Sequence, residues 1–329
     1  MLDGISFKHT GFNCWLSKFS TYFRAHIIFF MPSKKWILFV FLALAWGSSF
    51  LIMKRGLRSF DYMQIGALRI AFAWLLASVI ALRQFKHIKR KDIRPLLMVG
   101  LFGNGLPYFL FPLAITRLDS GLVGVFNSMV PLFTLLIGVA FFALTVARKQ
   151  IIGVFVGLVG AVILLRPDVG GDQNIWYAGY AIFASLCYAI SVNVIARDLK
   201  HMKNIAITSL SLLFVGPPSL VFLFGFTDFT TVMQVDALAW TNLGLIAMLG
   251  MVNSALAIIA FNALIKDASP LFASSVTYVI PVVAIVWGVA DGERIGLLHI
   301  LGMVVILIGV YLVNRKKREK RSALAASQL

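Results

Sequence analysis

Acidic side chains are scarce in this chain. Thirteen Asp and Glu stand against 30 Lys and Arg, giving a formal charge of +17 over 329 residues. Charged residues of either sign make up 13 %, about half of the roughly 25 % usual in soluble domains. With 60 % hydrophobic residues, such a chain is neither disordered nor an ordinary soluble domain. Cysteine is nearly absent. Cys14 and Cys187 cannot build a disulfide framework, and Cys187 sits in an apolar run. Five histidines show no metal-ligand spacing, and HExxH, Walker A and GxSxG motifs are missing. The glycine-rich stretch Gly100–Gly105 follows no strand, so it does not read as a phosphate cradle. The expectation is a protein that is not an enzyme, with no catalytic residue, no metal and no cofactor. With no ATP-binding segment, its energy would come from a gradient or from exchange.

Long apolar runs are what the chain has in abundance. A helix needs about 20 mostly apolar residues to cross a bilayer. Ten runs qualify: Trp36–Met53, Gln64–Leu82, Pro95–Leu113, Ser120–Phe142, Lys149–Leu165, Trp176–Ala196, Ile205–Phe226, Ala239–Ile265, Pro270–Ala290 and Gly296–Asn314. Their length and lack of alternation exclude strands. The predicted fold is therefore an all-α integral membrane protein. Residues 1–35 read as a cytoplasmic leader outside this scheme. Met31 followed by Pro32-Ser33-Lys34-Lys35 resembles a start, and a short amphipathic surface helix is the other reading of the segment.

Lys and Arg sort by side. Twenty lie in the loops and tail on the N-terminal side, three more in the leader, six on the opposite side and one, Arg69, inside a span. The positive-inside bias then places both termini in the cytoplasm. Lys54, Arg55 and Arg58 are the discordant cluster. Spread over short loops, the basic charge is no nucleic-acid surface. The basic tail, residues 315–329, reads as a topology anchor that meets anionic membrane lipid.

The halves resemble each other. Phe41–Ser49 aligns with Phe183–Ser191, Asn104 with Asn253, Pro131 with Pro281, Gly153 and Gly160 with Gly302 and Gly309, and Arg166 with Arg315. Each unit holds five spans, so the second copy enters the bilayer from the other side. The expected architecture is ten transmembrane helices as an inverted five-plus-five repeat around a central cavity. Its parts are residues 36–166, a linker at 167–175, and residues 176–314.

Ala45-Trp46-Gly47-Ser48-Ser49-Phe50, Leu68-Arg69-Ile70, Pro131 with Leu132-Phe133-Thr134, and Pro281 followed by Asp291-Gly292-Glu293-Arg294 and Gly302 carry a family resemblance. The chain resembles the drug/metabolite transporter superfamily in its EamA-type branch of ten-span permeases. The resemblance spans about Trp36 to Asn314. It implies two five-helix units and export or exchange of small metabolites. It departs at Ala143–Arg148, where the family's first repeat usually has a glycine–glutamate turn and this chain has no acid.

Polar groups inside spans are costly and point to function. Arg69 is the only charge deep in a span. It reads either as an attractor of an anionic or carboxylate-bearing substrate or as a structural guanidinium bonded to backbone carbonyls. The absence of any Asp or Glu inside a span disfavours a proton/cationic-drug antiporter, while Asp119, Asp267 and Asp291 near span ends leave other coupling open. The expected substrate cavity comprises Trp46, Ser49, Arg69, Asn104, Tyr108, Asn127, Tyr188, Asn193, Asn253 and Tyr278. Pro131 and Pro281 are expected as mid-span kinks or hinges. Gly153, Gly157 and Gly160 share a helical face, as do Gly302 and Gly309, which suits helix packing or a homodimer. The expected function is a plasma-membrane permease, in a bacterial inner membrane, moving a small-molecule substrate by alternating access. The alternatives are an intramembrane enzyme and a non-transporting scaffold or receptor.

Overall fold

A computed structural model describes residues 34–84, 88–142, 147–164, 175–267 and 276–314. Most of the leader, residues 167–174 of the linker, the tail, the Ala143–Val146 departure and Pro270 lie outside the described residues. The described residues are helical, with no strand among them. Each predicted run coincides with a helix or an interrupted pair. In order these are α1 Lys34–Gly56, α2 Tyr62–Gln84, α3 Arg90–Val99 and α4 Leu106–Ile115, α5 Ser120–Asn127 and α6 Val130–Phe142, and α7 Arg148–Leu164. The second half has α8 Ala178–Asp198, α9 Asn204–Phe226, a short α10 Phe229–Val235, α11 Ala239–Gly250 and α12 Ala257–Asp267, α13 Val276–Ala290 and α14 Leu297–Asn314. Among the described residues, six stretches are long and apolar enough to cross a membrane: α1, α3–α4, α5–α6, α8, α9 and Ala239–Phe261. In hydrocarbon a backbone must satisfy its own hydrogen bonds, and helices do so internally. Phe155, Val162, Val221, Phe224 and Trp240 stand exposed on the outside, as a lipid-facing surface requires.

Contacts run mainly between the halves, and they come in reciprocal pairs. α1 packs on α13, and its sequence counterpart α8 packs on α5 and α6. α1 also packs on α11 and α12, while α8 packs on α3 and α4. The self-equivalent pairs α2–α9 and α7–α14 close the arrangement.

Two corresponding rods are interrupted by π-helical segments, Gly100–Gly105 between α3 and α4, and Met251–Leu256 between α11 and α12. Such widened turns carry i→i+5 bonds and are frequent at functional sites. In the first, Gly100 lies against the Ser211 carbonyl, where a Cβ would come within 2.7 Å. In the second, the Ser254 hydroxyl donates to the Leu249 carbonyl five residues back (3.2 Å), filling the widened turn.

The prolines do not act alike. Pro281 lies inside α13, where its missing N–H cannot serve the Thr277 carbonyl. Pro131 is instead the second residue of α6, a place where no backbone donor is needed. The rod is already broken before it, where the amides of Ser128 and Met129 bond three residues back to Val125 and Phe126. The expected mid-span kink at Pro131 is thus a helix start.

The glycine faces of α7 and α14 meet each other within the chain. A Cβ on Gly160 would come 2.7 Å from the Ile306 amide nitrogen, and one on Gly309 would come 2.6 Å from the Gly153 carbonyl. A second copy would therefore meet the outer faces of these helices rather than their glycines.

Candidate functional site

A cavity of about 380 Å³ lies between the halves, within the roughly 300–1,000 Å³ typical of small-molecule sites. Of the expected residues, Trp46, Ser49, Arg69, Asn104, Tyr108, Asn127, Tyr188 and Asn253 line it, together with Pro131. Asn193, Tyr278 and Pro281 do not. Asn193 is buried and donates to the carbonyls of Thr134 (3.0 Å) and Ala189 (2.9 Å), tying α8 to α6. The Tyr278 hydroxyl donates to the Val310 carbonyl at 3.2 Å, which ties α13 to α14. The lining also includes hydroxyls that the sequence reading passed over: Ser128, Ser191, Thr208, Ser211, Ser254 and Thr277. On α8 the lining follows a helical stripe, Tyr188, Ser191, Val192, Ile195, whose spacing was the available signal.

The paired asparagines sit in the π segments and stitch across the halves. Asn253 Nδ2 donates to the Ala45 carbonyl and to Ser49 Oγ (3.0 Å), and its own carbonyl accepts from Trp46 Nε1 (3.0 Å). Asn104 Nδ2 donates to Ser211 Oγ on α9 (3.2 Å), while Asn104 Oδ1 accepts from the Tyr108 hydroxyl at a long 3.5 Å.

Arg69 is 6 % exposed. Its Nε donates to Ser254 Oγ (3.3 Å), one terminal nitrogen faces the Met53 sulfur (3.7 Å), and Cζ lies 3.8 Å from the Tyr108 ring centroid. No carboxylate and no backbone carbonyl pairs with it among the described residues. A buried cation over an aromatic face is attracted to the ring quadrupole, but that attraction leaves its charge uncancelled.

An ionic cluster outside the cavity ties three elements. Lys54 Nζ bonds Asp291 Oδ2 and Glu293 Oε1 at 2.8 Å each, and Arg55 pairs with Asp291. Glu293 also accepts from Ser120 N (2.9 Å), Ser120 Oγ (2.6 Å) and Gly121 N (2.9 Å), so it caps the positive end of α5. Local sequence makes this possible. Gly292 has φ 86°, and the amides of Gly292 and Glu293 return to the Val289 and Gly288 carbonyls, a Schellman ending of α13. Gly288 leaves space for the returning carboxylate, since a Cβ there would meet Glu293 Oε2 at 2.2 Å. Burial alone would raise both carboxyl pKa values. Lys54 outweighs it, with Arg55 for Asp291 and Ser120 and Gly121 for Glu293, and both are held below their ordinary range.

Known proteins place this geometry in context. A family model described as the EamA-like transporter family matches residues 34–166 and again 175–315. An "Uncharacterized transporter" of Archaeoglobus fulgidus is 25 % identical over 285 residues, covering 86 % of this chain and 100 % of the relative. The "Uncharacterized inner membrane transporter YedA" of Escherichia coli K12 is 26 % identical over 284 residues, covering 84 % and 89 %. A "Probable amino-acid metabolite efflux pump" of Salmonella typhimurium is 22 % identical over 305 residues, covering 89 % and 99 %. A solved crystal structure shares the fold at a TM-score of 0.55 and 15 % identity, covering 90 % of this chain and 99 % of that one. With two successive matches spanning nearly all the described helices, the chain is a multi-pass membrane protein that belongs to the EamA-like transporter family.

Proposed function

We propose that the protein is a secondary permease that exports or exchanges small polar metabolites, amino acids or close relatives, by alternating access. One observation carries the reading: a polar-lined cavity walled by residues of both halves, with a salt-bridged cluster outside it that joins the halves. The two family matches each cover five predicted spans, which supports an inverted repeat of ten crossings. The charge count supports cytoplasmic termini and puts the Glu293 cluster on the outer side. Ile195, Ile207 and Thr208 of the lining lie close in sequence to the basic α8–α9 connection, on the cytoplasmic side, and no residue of the cluster lines the cavity. The described state therefore fits loading from the cytoplasm with the outer end closed. The amino-acid class rests on the Salmonella relative's name and on the polar lining. Purified protein in proteoliposomes, offered a panel of radiolabelled amino acids and related metabolites, should give saturable flux for some of them. Absence of flux across the panel would overturn the reading in favour of a scaffold.

A further inference from the structure

Arg69 is more than nine-tenths buried, lines the cavity and has no counter-ion among the described residues. No Asp or Glu among the described residues lines the cavity. A guanidinium has five donors. The protein engages one with the Ser254 hydroxyl and points another at a thioether, a weak acceptor. Its Cζ lies over the Tyr108 ring, 3.8 Å from the centroid, which takes up none of its N–H donors, so the remaining ones are left for a ligand. Removing a cation from water without an anion is costly, so a ligand that brings the anion gains the full benefit of that unpaired charge.

We propose that the transported molecule carries a carboxylate and that Arg69 is its anchor, with the Asn127 amide and Tyr188 hydroxyl receiving its other polar group. This deepens the permease reading and rests on it. Asn127 and Tyr188 line the same cavity, and their side chains make no hydrogen bond to the protein among the described residues. Phe50 and Phe111 give the cavity an apolar wall for the remainder of the ligand. A planar guanidinium binds a carboxylate through two parallel N–H···O bonds, which a lysine cannot reproduce. The site therefore discriminates acids from the matching amides and amines, and it selects against cations.

The test uses purified full-length protein and matched sets of probes, two triplets and a pair: L-leucine, L-leucinamide and isoamylamine; L-phenylalanine, L-phenylalaninamide and phenethylamine; L-threonine and L-threoninamide. Binding is read as thermal stabilisation and uptake as proteoliposome flux. At least one acid should stabilise the wild type by 2 °C or more (about that order for a well-occupied site), with its amide and amine giving no shift. Arg69→Lys should weaken that acid about tenfold or more. Arg69→Ala should abolish the discrimination; if it fails to fold, Arg69→Lys and the wild-type triplets decide. Equal stabilisation by acid and amide, intact discrimination in a folded Arg69→Ala protein, or no acid stabilising at all would each overturn the proposal. Flux of amines or amides in preference to acids would overturn it while leaving the permease reading intact; no flux of any compound would sink that reading instead.

Discussion

Lys54 and Arg55 show how a single residue can mislead a sequence reading and then explain itself. They are two of the three cations that break the positive-inside pattern, and both stand in the last turn of α1. The structure pairs both with Asp291, and Lys54 also with Glu293, 239 residues further along the chain. A partner at that separation leaves no mark in local pattern, so the cations look discordant until the fold brings the acids to them. The pairing also bears on the coupling question for Asp291. Asp291 and Glu293 both have pKa values below the ordinary carboxylate range, so near neutral pH they stay ionised and are poor proton carriers. The sign follows: a depressed folded-state pKa gives stability that is present above the unfolded value and lost as pH falls through the folded one. Thermal stability should be flat from pH 8 to pH 6 as far as these groups are concerned, and should fall only in acid below the ordinary carboxylate range. Glu293→Gln should cost about 3 kcal/mol at neutral pH, because it leaves Lys54 and the α5 amides short of charge. The gap between this variant and the wild type should narrow as acid protonates the native Glu293. A gap that widens in acid would show that the cluster does not stabilise through ionisation.

At the scale of the helix, the paired asparagines were legible as repeat partners, but the π segments that hold them were not. Met251–Leu256 keeps an ordinary helical pattern in sequence, and the glycines of Gly100–Gly105 do not by themselves specify a widened turn; in the fold the first segment lies against the Ser211 carbonyl and the second holds the Ser254 hydroxyl bond to Leu249. The prolines were legible as equivalents and differ in role for a local reason. Pro131 follows a break already made at Ser128 and Met129, whereas Pro281 stands inside continuous helix. Pro281→Ala should therefore restore a helical bond, straighten α13 and reduce flux clearly, while Pro131→Ala should have the smaller effect on flux at equal expression. Equal fluxes for both variants and the wild type would remove any hinge role. The glycines make a sharper prediction still. Gly309→Ala drives a Cβ into backbone atoms of Gly153 and Gly157, which cannot turn aside as a side chain can, and should destabilise by about 2 kcal/mol. Gly225→Ala and Gly244→Ala meet nothing within 4 Å and should leave the melting temperature unchanged or slightly raised. Thermal unfolding of the three variants in one detergent checks the contrast.

For the molecule as a whole, the two halves are alike in packing and unlike in how their equivalent ends are fastened. Arg55 closes on Asp291 at one end. The aligned Arg197 at the other end pairs with its own neighbour Asp198 and lies over the Phe142 ring at 4.4 Å, where the first repeat offers no acid. The Arg197 side chain is 56 % exposed, so its ion pair is worth little, while the Glu293 carboxylate is 1 % exposed and fully bonded. If the protein works by the proposed alternating access, such a difference would bias the resting state toward a closed ionic end and an open, lightly fastened one. Weakening the ionic end by about 3 kcal/mol changes the equilibrium between the two states by about a hundredfold. The readout is a cysteine at Thr208, placed in a chain whose Cys14 and Cys187 are replaced by Ser and Ala. In inside-out vesicles this thiol should react readily with a membrane-impermeant maleimide, and in right-side-out vesicles it should not. Adding Glu293→Gln should slow its labelling from the cytoplasmic side, because the population moves toward the outward-open state. Labelling that is confined to right-side-out vesicles would reverse the proposed orientation, and labelling that Glu293→Gln leaves unchanged would show that the cluster holds the fold together without setting which way the cavity faces.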